Sequence, residues 1–177
     1  MSEVKTLATV WLDGCSGCHM SLLDMDERLI ELSSQFQLVY SPLVDRKIFP
    51  ERVDVTLVEG AVASEDDLKK IRKIREHTTV LVSLGDCALT GNVSAMRNTC
   101  GPQPVFLRVY QENADLHRQV PTVGVPALLD RVRPVHEVVP VDVYVPGCPP
   151  SADTIYQVLS ETLAGRLPNL GGIAHFG

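Results

Sequence analysis

Apolar residues along this chain fall into two patterns that take turns: short, nearly unbroken runs, and stretches in which they recur every three or four positions. Leu7 to Leu12, with its β-branched members, reads as a buried strand stopped by Asp13-Gly14. From Ser21 onward Leu22, Met25, Leu29 and Leu32 keep helical spacing and predict one amphipathic helix ending near Ser33-Ser34. Phe36 to Tyr40 and Val53 to Val58 are two further strands. Ser64-Glu-Asp-Asp67 supplies an N-cap and an acidic first turn for a helix whose stripe is Leu68, Ile71 and Ile74. Val80 to Leu84 is a fourth strand and Val141 to Val145 a last one, followed by Pro146-Gly-Cys-Pro-Pro150. A helix then starts at Ser151, with Ile155, Val158, Leu159 and Leu163 on one face and Gly165 beyond its end. Between Thr99 and Pro140 prolines are frequent and periodicity is weak, which predicts irregular surface structure with one short helix.

Alternating helices and nearly all-apolar strands demand a parallel sheet covered on both faces, so the expected fold class is α/β, flavodoxin-like and doubly wound. The 177 residues suit one domain, 1–177, with an irregular insertion at about 99–140 and an extended tail at about 165–177. That tail is stable only if it packs on something, another subunit being one candidate. Composition adds little to this picture: 45% hydrophobic and 21% charged residues are ordinary for a globular protein. The net charge of −6, without a basic stripe, argues against nucleic acid as a partner. The apolar stretch within the first twelve residues is too short to span a bilayer, is interrupted by Lys5 and Thr6, and carries no twin-arginine pair. A cytoplasmic protein without a membrane span is the expectation.

The chemistry sits in five cysteines, an odd number in a chain too long to depend on a disulfide framework. Cys15 and Cys18 follow the first strand, Cys87 the fourth, and Cys148 the last, so all four lie at carboxyl ends of strands. In an open parallel sheet those ends share one edge, where ligands bind, and four thiols distant in sequence can meet there. Four convergent thiols hold an iron-sulfur cluster or zinc. One Cys-x-x-Cys joined by two lone cysteines is the wrong spacing for a zinc finger. Glycines beside each cysteine let backbone N–H groups face an anionic cluster, and Pro149 after Cys148 matches the Cys-Pro of bacterial ferredoxin ligation. A zinc-binding structural subunit and a thioredoxin-type dithiol at Cys15 and Cys18 remain as alternatives, the latter leaving Cys87 and Cys148 without a role. Cys100, in Asn98-Thr-Cys-Gly-Pro102, is away from any strand end and is read as a small core residue rather than a ligand.

Leu12-Asp-Gly-Cys-Ser-Gly-Cys-His-Met-Ser21, Val58-Glu-Gly-Ala61, Gly85-Asp-Cys-Ala-Leu-Thr-Gly91 and Val145-Pro-Gly-Cys-Pro-Pro150 together resemble the small subunit of nickel-iron hydrogenases and the related cluster-bearing subunit of respiratory complex I. The resemblance covers about Thr6 to Ala164, with the four motifs in the family's order. The complex I subunit carries adjacent cysteines in the first motif, so Cys15-x-x-Cys18 departs toward the hydrogenases. No cysteine follows Cys148, and the further clusters of exported small subunits therefore have no ligands here. What the resemblance implies is the trimmed small subunit of soluble, bidirectional NAD-reducing hydrogenases. Cys15, Cys18, Cys87 and Cys148 would ligate one 4Fe-4S cluster. Electrons would pass between a nickel-iron site in a large partner subunit and a flavin- and iron-sulfur-containing diaphorase that reduces NAD. A quinone-linked complex I-like cluster subunit is the alternative within the same resemblance. The chain itself has no ligand set for nickel, and no Gly-x-Gly-x-x-Gly follows a predicted strand.

Smaller expectations attach to neighbouring residues. Glu59 would serve a proton path or hydrogen-bond a cluster loop, an interface carboxylate being the plain alternative. His19 would tune the cluster through an N–H donor rather than ligate it. Arg46 and Lys47, ahead of Pro50, read as an exposed loop. FMN is a further candidate cofactor on a flavodoxin-like fold and has been linked with relatives of this type. The hydroxyl-rich phosphate loop of flavodoxins is absent, its place taken by Cys15 and Cys18.

Overall fold

The computed structural model describes residues 4–177; the first three, part of the segment read above for a leader, lie outside the described residues. Five strands form one wholly parallel sheet: β1 (Lys5–Trp11), β2 (Phe36–Tyr40), β3 (Val53–Glu59), β5 (Thr78–Leu84) and β7 (Val143–Val145), in the order β2-β1-β3-β5-β7. Counted along the chain, that order is second, first, third, fourth, fifth, the flavodoxin arrangement, with its switch point between β1 and β3.

Strand side chains alternate between two cores. On one face Leu7, Val55, Leu57, Val82 and Leu84 meet α1 (Gly17–Leu23), α2 (Glu27–Ser33) and α6 (Ala152–Leu163) through Leu22, Leu32, Ile155, Val158 and Leu159. On the other face Val10, Val58 and Leu81 meet Ile71 and Ile74 of α3 (Glu65–Glu76) and Ala88 and Leu89 of α4 (Asp86–Thr90). Both faces being covered explains why the strands are apolar on successive residues rather than alternate ones. α3 begins with the expected N-cap, and the structure completes it as a capping box: Ser64 Oγ accepts from Asp67 N, and the Asp67 carboxylate accepts from Ser64 N.

Three expectations change. The helix read from Ser21 to Ser33 is two helices, α1 and α2, broken at Asp24–Asp26, where Asp26 takes φ 48°. Met25 in the break is still 1% exposed, so the apolar period runs straight across the interruption and hides it. The stretch 99–140 is more ordered than expected: α5 (Pro102–Leu107) continues into a π-helical turn at Arg108–Glu112, and β6 (Leu128–Arg133) pairs antiparallel with β4 (Val62–Ser64) in a separate two-stranded sheet. The tail packs on its own chain: Leu170 touches the first core, Thr154 Oγ1 donates to Ile173 O at 3.2 Å, and Gly177 N donates to Asp86. Arg46 and Lys47 are exposed, as expected.

Candidate metal centre

The loops after β1, β3, β5 and β7 reach the carboxyl edge of the sheet in two stitched pairs. After β1 and β3, Asp13 N donates to Ala61 O at 3.0 Å and Ala61 N returns to Asp13 O at 2.7 Å. After β5 and β7, Gly85 N donates to Val145 O at 2.8 Å and Asp86 N to Gly147 O at 2.9 Å. Ser21 Oγ in α1 donates to Pro150 O, tying the first pair to the second.

Between the pairs lies a cavity of about 60 Å³ lined by Cys15, Cys18, Cys87 and Cys148, together with Gly17, Glu59, Gly60, Asp86, Gly147 and Pro149. It gathers all four strand-end cysteines and leaves out Cys100. That residue is exposed at the end of the 3-10 helix Asn92–Thr99, which corrects the expectation of a buried core thiol; its Sγ faces the Arg97 and Gly101 carbonyls.

Burial pushes the Cys18 thiol up, and Glu59 and the thiolates of Cys87, Cys15 and Cys148 push it further. Burial raises Cys87 as well, followed by Cys15 and Cys148. No Lys or Arg lines the cavity to offset these charges, so thiolates are held here only against a cationic occupant. A dithiol nucleophile needs the opposite, a lowered thiol pKa. Among the described residues no three His, Cys, Asp or Glu side chains gather tightly enough to hold a single metal ion. The four thiols surround a volume several times that of one water instead of meeting at a point. That arrangement fits a group of several atoms, with each sulfur on its own corner.

Two buried carboxylates hold the walls. Glu59, 2% exposed, accepts from His19 N and from His19 Nδ1, both at 2.6 Å, and so clamps the first turn of α1, which carries Cys18. The other ring nitrogen, Nε2, is 2.9 Å from Thr9 Oγ1, which continues to Ser41 Oγ at 2.8 Å. Both nitrogens of His19 are thus committed inside the protein, and the expected N–H donor toward the sulfurs is not there to give. Asp86 accepts from Gly147 N at 2.7 Å on one oxygen and from Gly177 N at 2.9 Å on the other, joining the third and fourth loops and the tail. Sequence reasoning missed Asp86; its place between Gly85 and Cys87 is the signal that pointed to it. Gly85 is also required by space, because a Cβ there would stand 2.2 Å from Cys18 Sγ at φ +82°.

Glu59→Ala leaves the His19 backbone and ring donors unpaired in a buried site, and we expect a stability loss of about 2–3 kcal/mol in urea unfolding. Glu59→Gln keeps an acceptor for the backbone N–H and should lose clearly less.

Residues 15–162 match the family model of the NADH ubiquinone oxidoreductase 20 Kd subunit. The chain belongs to that family. It is 39% identical over 165 residues to the NAD-reducing hydrogenase HoxS subunit delta of Cupriavidus necator, covering 90% of this chain and 79% of that protein. It is 34% identical over 163 residues to a subunit of the vhu F420-non-reducing hydrogenase of Methanocaldococcus jannaschii, covering 91% of this chain and 57% of the relative. The chain therefore spans little more than half the length of that second relative. A solved NAD+-reducing NiFe-hydrogenase in the H2-reduced state matches with a TM-score of 0.94 and 35% identity over 99% of this chain and 100% of the other. The chain is a homologue of hydrogenase subunits, the family implies a metal cluster, and an electron-transfer role fits that kinship. No described helix is long and apolar enough to cross a membrane.

Proposed function

We propose that this chain is the electron-relay subunit of an NAD-reducing nickel-iron hydrogenase and binds one 4Fe-4S cluster through Cys15, Cys18, Cys87 and Cys148. The observation that carries the reading is the single cavity lined by these four cysteines and by no basic residue. When bound, the cluster supplies a one-electron carrier between the nickel-iron site of a large partner subunit and a flavin-containing diaphorase. The chain's own residues do the holding. The two stitched loop pairs set the four sulfurs apart, and Glu59 and Asp86 lock the loops by accepting backbone N–H groups. Gly177 lies against Cys148.

Exposed apolar side chains flank these loops in the sequence: Trp11 and Met20 around the first, Val93 and Met96 after the third, and Phe176 beside Gly177. Such residues suit burial under partner subunits. Among the described residues no Lys, Arg, Ser or Thr lines this cavity to receive the phosphate of FMN, which favours the cluster over FMN there. A cytoplasmic location accords with NAD as the final acceptor.

The test is hydrogen itself. In the complex with the large subunit, H2 should bleach the broad visible absorbance of this chain's cluster, whereas the chain alone should bleach only with dithionite. Bleaching of the complex by dithionite but never by H2 would contradict the relay role.

A further inference from the structure

The turn after α4 offers a side-chain hydrogen-bond donor to one of the four sulfurs. α4 gives way at Gly91, and Asn92 follows at φ 34°, a left-handed conformation that Asn tolerates better than most residues. Its Nδ2 lies 3.5 Å from Cys148 Sγ and donates to it. The same turn is tied to the first cysteine loop, since Ser94 Oγ donates to Asp13 O at 3.1 Å.

The donor is a side-chain amide, so it is lost when residue 92 changes. Among the described residues Asn92 is the one side chain that donates to any of the four lining sulfurs. Its surroundings make that donor count. The cavity carries four thiols and two carboxylates with no Lys or Arg, so an added electron meets negative charge on every side. A polarised N–H aimed at a ligating sulfur favours the more negative, reduced state and raises the potential.

We propose that Asn92 is a positioning and tuning residue: its amide N–H on Cys148 Sγ raises the reduction potential of the cluster held by the four cysteines. The inference rests on the cluster reading given above. The plain alternative is that Asn92 merely completes the turn, a task glycine performs equally well at positive φ.

The test compares wild type, Asn92→Gly and Asn92→Asp in the assembled complex. Each is titrated with dithionite against redox mediators and followed by electron paramagnetic resonance, with iron and sulfide measured alongside. At the wild-type midpoint, Asn92→Gly should show a reduced-to-oxidised ratio about fivefold lower, a downward shift of about 40 mV for a one-electron couple at 59 mV per tenfold. Asn92→Asp, which replaces the donor by a carboxylate oxygen, should shift further in the same direction. Full iron with an unchanged midpoint in both variants would overturn the role of Asn92 while leaving the cluster reading intact. Loss of iron in Asn92→Gly would also overturn it, since Asn92 would then be structural support. A wild-type chain without iron and sulfide would overturn the reading beneath it.

Discussion

Replacing Cys148 with serine should leave the chain folded and, on the ligand set proposed above, strip it of metal. Cys148 is exposed, so the substitution removes no core packing and should change the stability of the metal-free chain by less than about 0.5 kcal/mol. Serine is a far poorer ligand than a thiolate for iron, and three remaining thiols leave one corner of the group uncovered. Iron content should fall at least tenfold, and hydrogen oxidation should no longer reach NAD in the assembled complex. Cys100→Ser is the control. It changes an equally exposed thiol that does not line the cavity, and iron content should stay at the wild-type level. Full iron in Cys148→Ser would remove that residue from the ligand set.

The second large effect comes from a residue with no side chain. Gly85→Ala keeps all four cysteines yet places a methyl group 2.2 Å from Cys18 Sγ, at φ +82°. The sulfur is already held by burial and by the Glu59–His19 clamp, so it has little room to retreat. We expect iron content to fall about as far as in Cys148→Ser, with an added strain of about 1–3 kcal/mol in unfolding. Gly165→Ala separates the two causes. Gly165 also has a positive φ, +75°, but nothing lies within 4 Å of its Cβ position. It should therefore show backbone strain of about 1–2 kcal/mol and keep its iron. Equal iron loss in both variants would show that folding, and not the contact with Cys18, decides occupancy.

The strand-end placement of Cys15, Cys18, Cys87 and Cys148 was legible in the sequence because apolar runs and the glycines after them mark where parallel strands stop. β2 was read to the residue, and β7 began two residues late, at Val143, because Val141 and Asp142 precede the pairing with β5. β6 was not legible. Its sequence Leu-Leu-Asp-Arg-Val-Arg carries three charges, and only Val132 is buried, as suits a strand in a small sheet with one covered side. β4 has three residues and follows β3 almost at once, so the apolar run of both looks like one. The break between α1 and α2 was masked by Met25, which keeps the helical period while the backbone turns. Around the cavity the four cysteines stood out, but the residues that hold them did not. Asp86 accepts two backbone N–H groups from positions 61 and 91 residues away, pairings that no local pattern records. Asn92 after Gly91 carried a faint signal, a residue tolerant of positive φ directly after a helix end.

The central claim is that these four cysteines hold one iron-sulfur cluster. It is tested most directly by native mass spectrometry of the anaerobically purified chain, with iron and acid-labile sulfide measured on the same sample. The account predicts about four irons and four sulfides per chain, lost together on replacement of Cys15, Cys18, Cys87 or Cys148. A colourless chain carrying one zinc, or no metal at all, would contradict it.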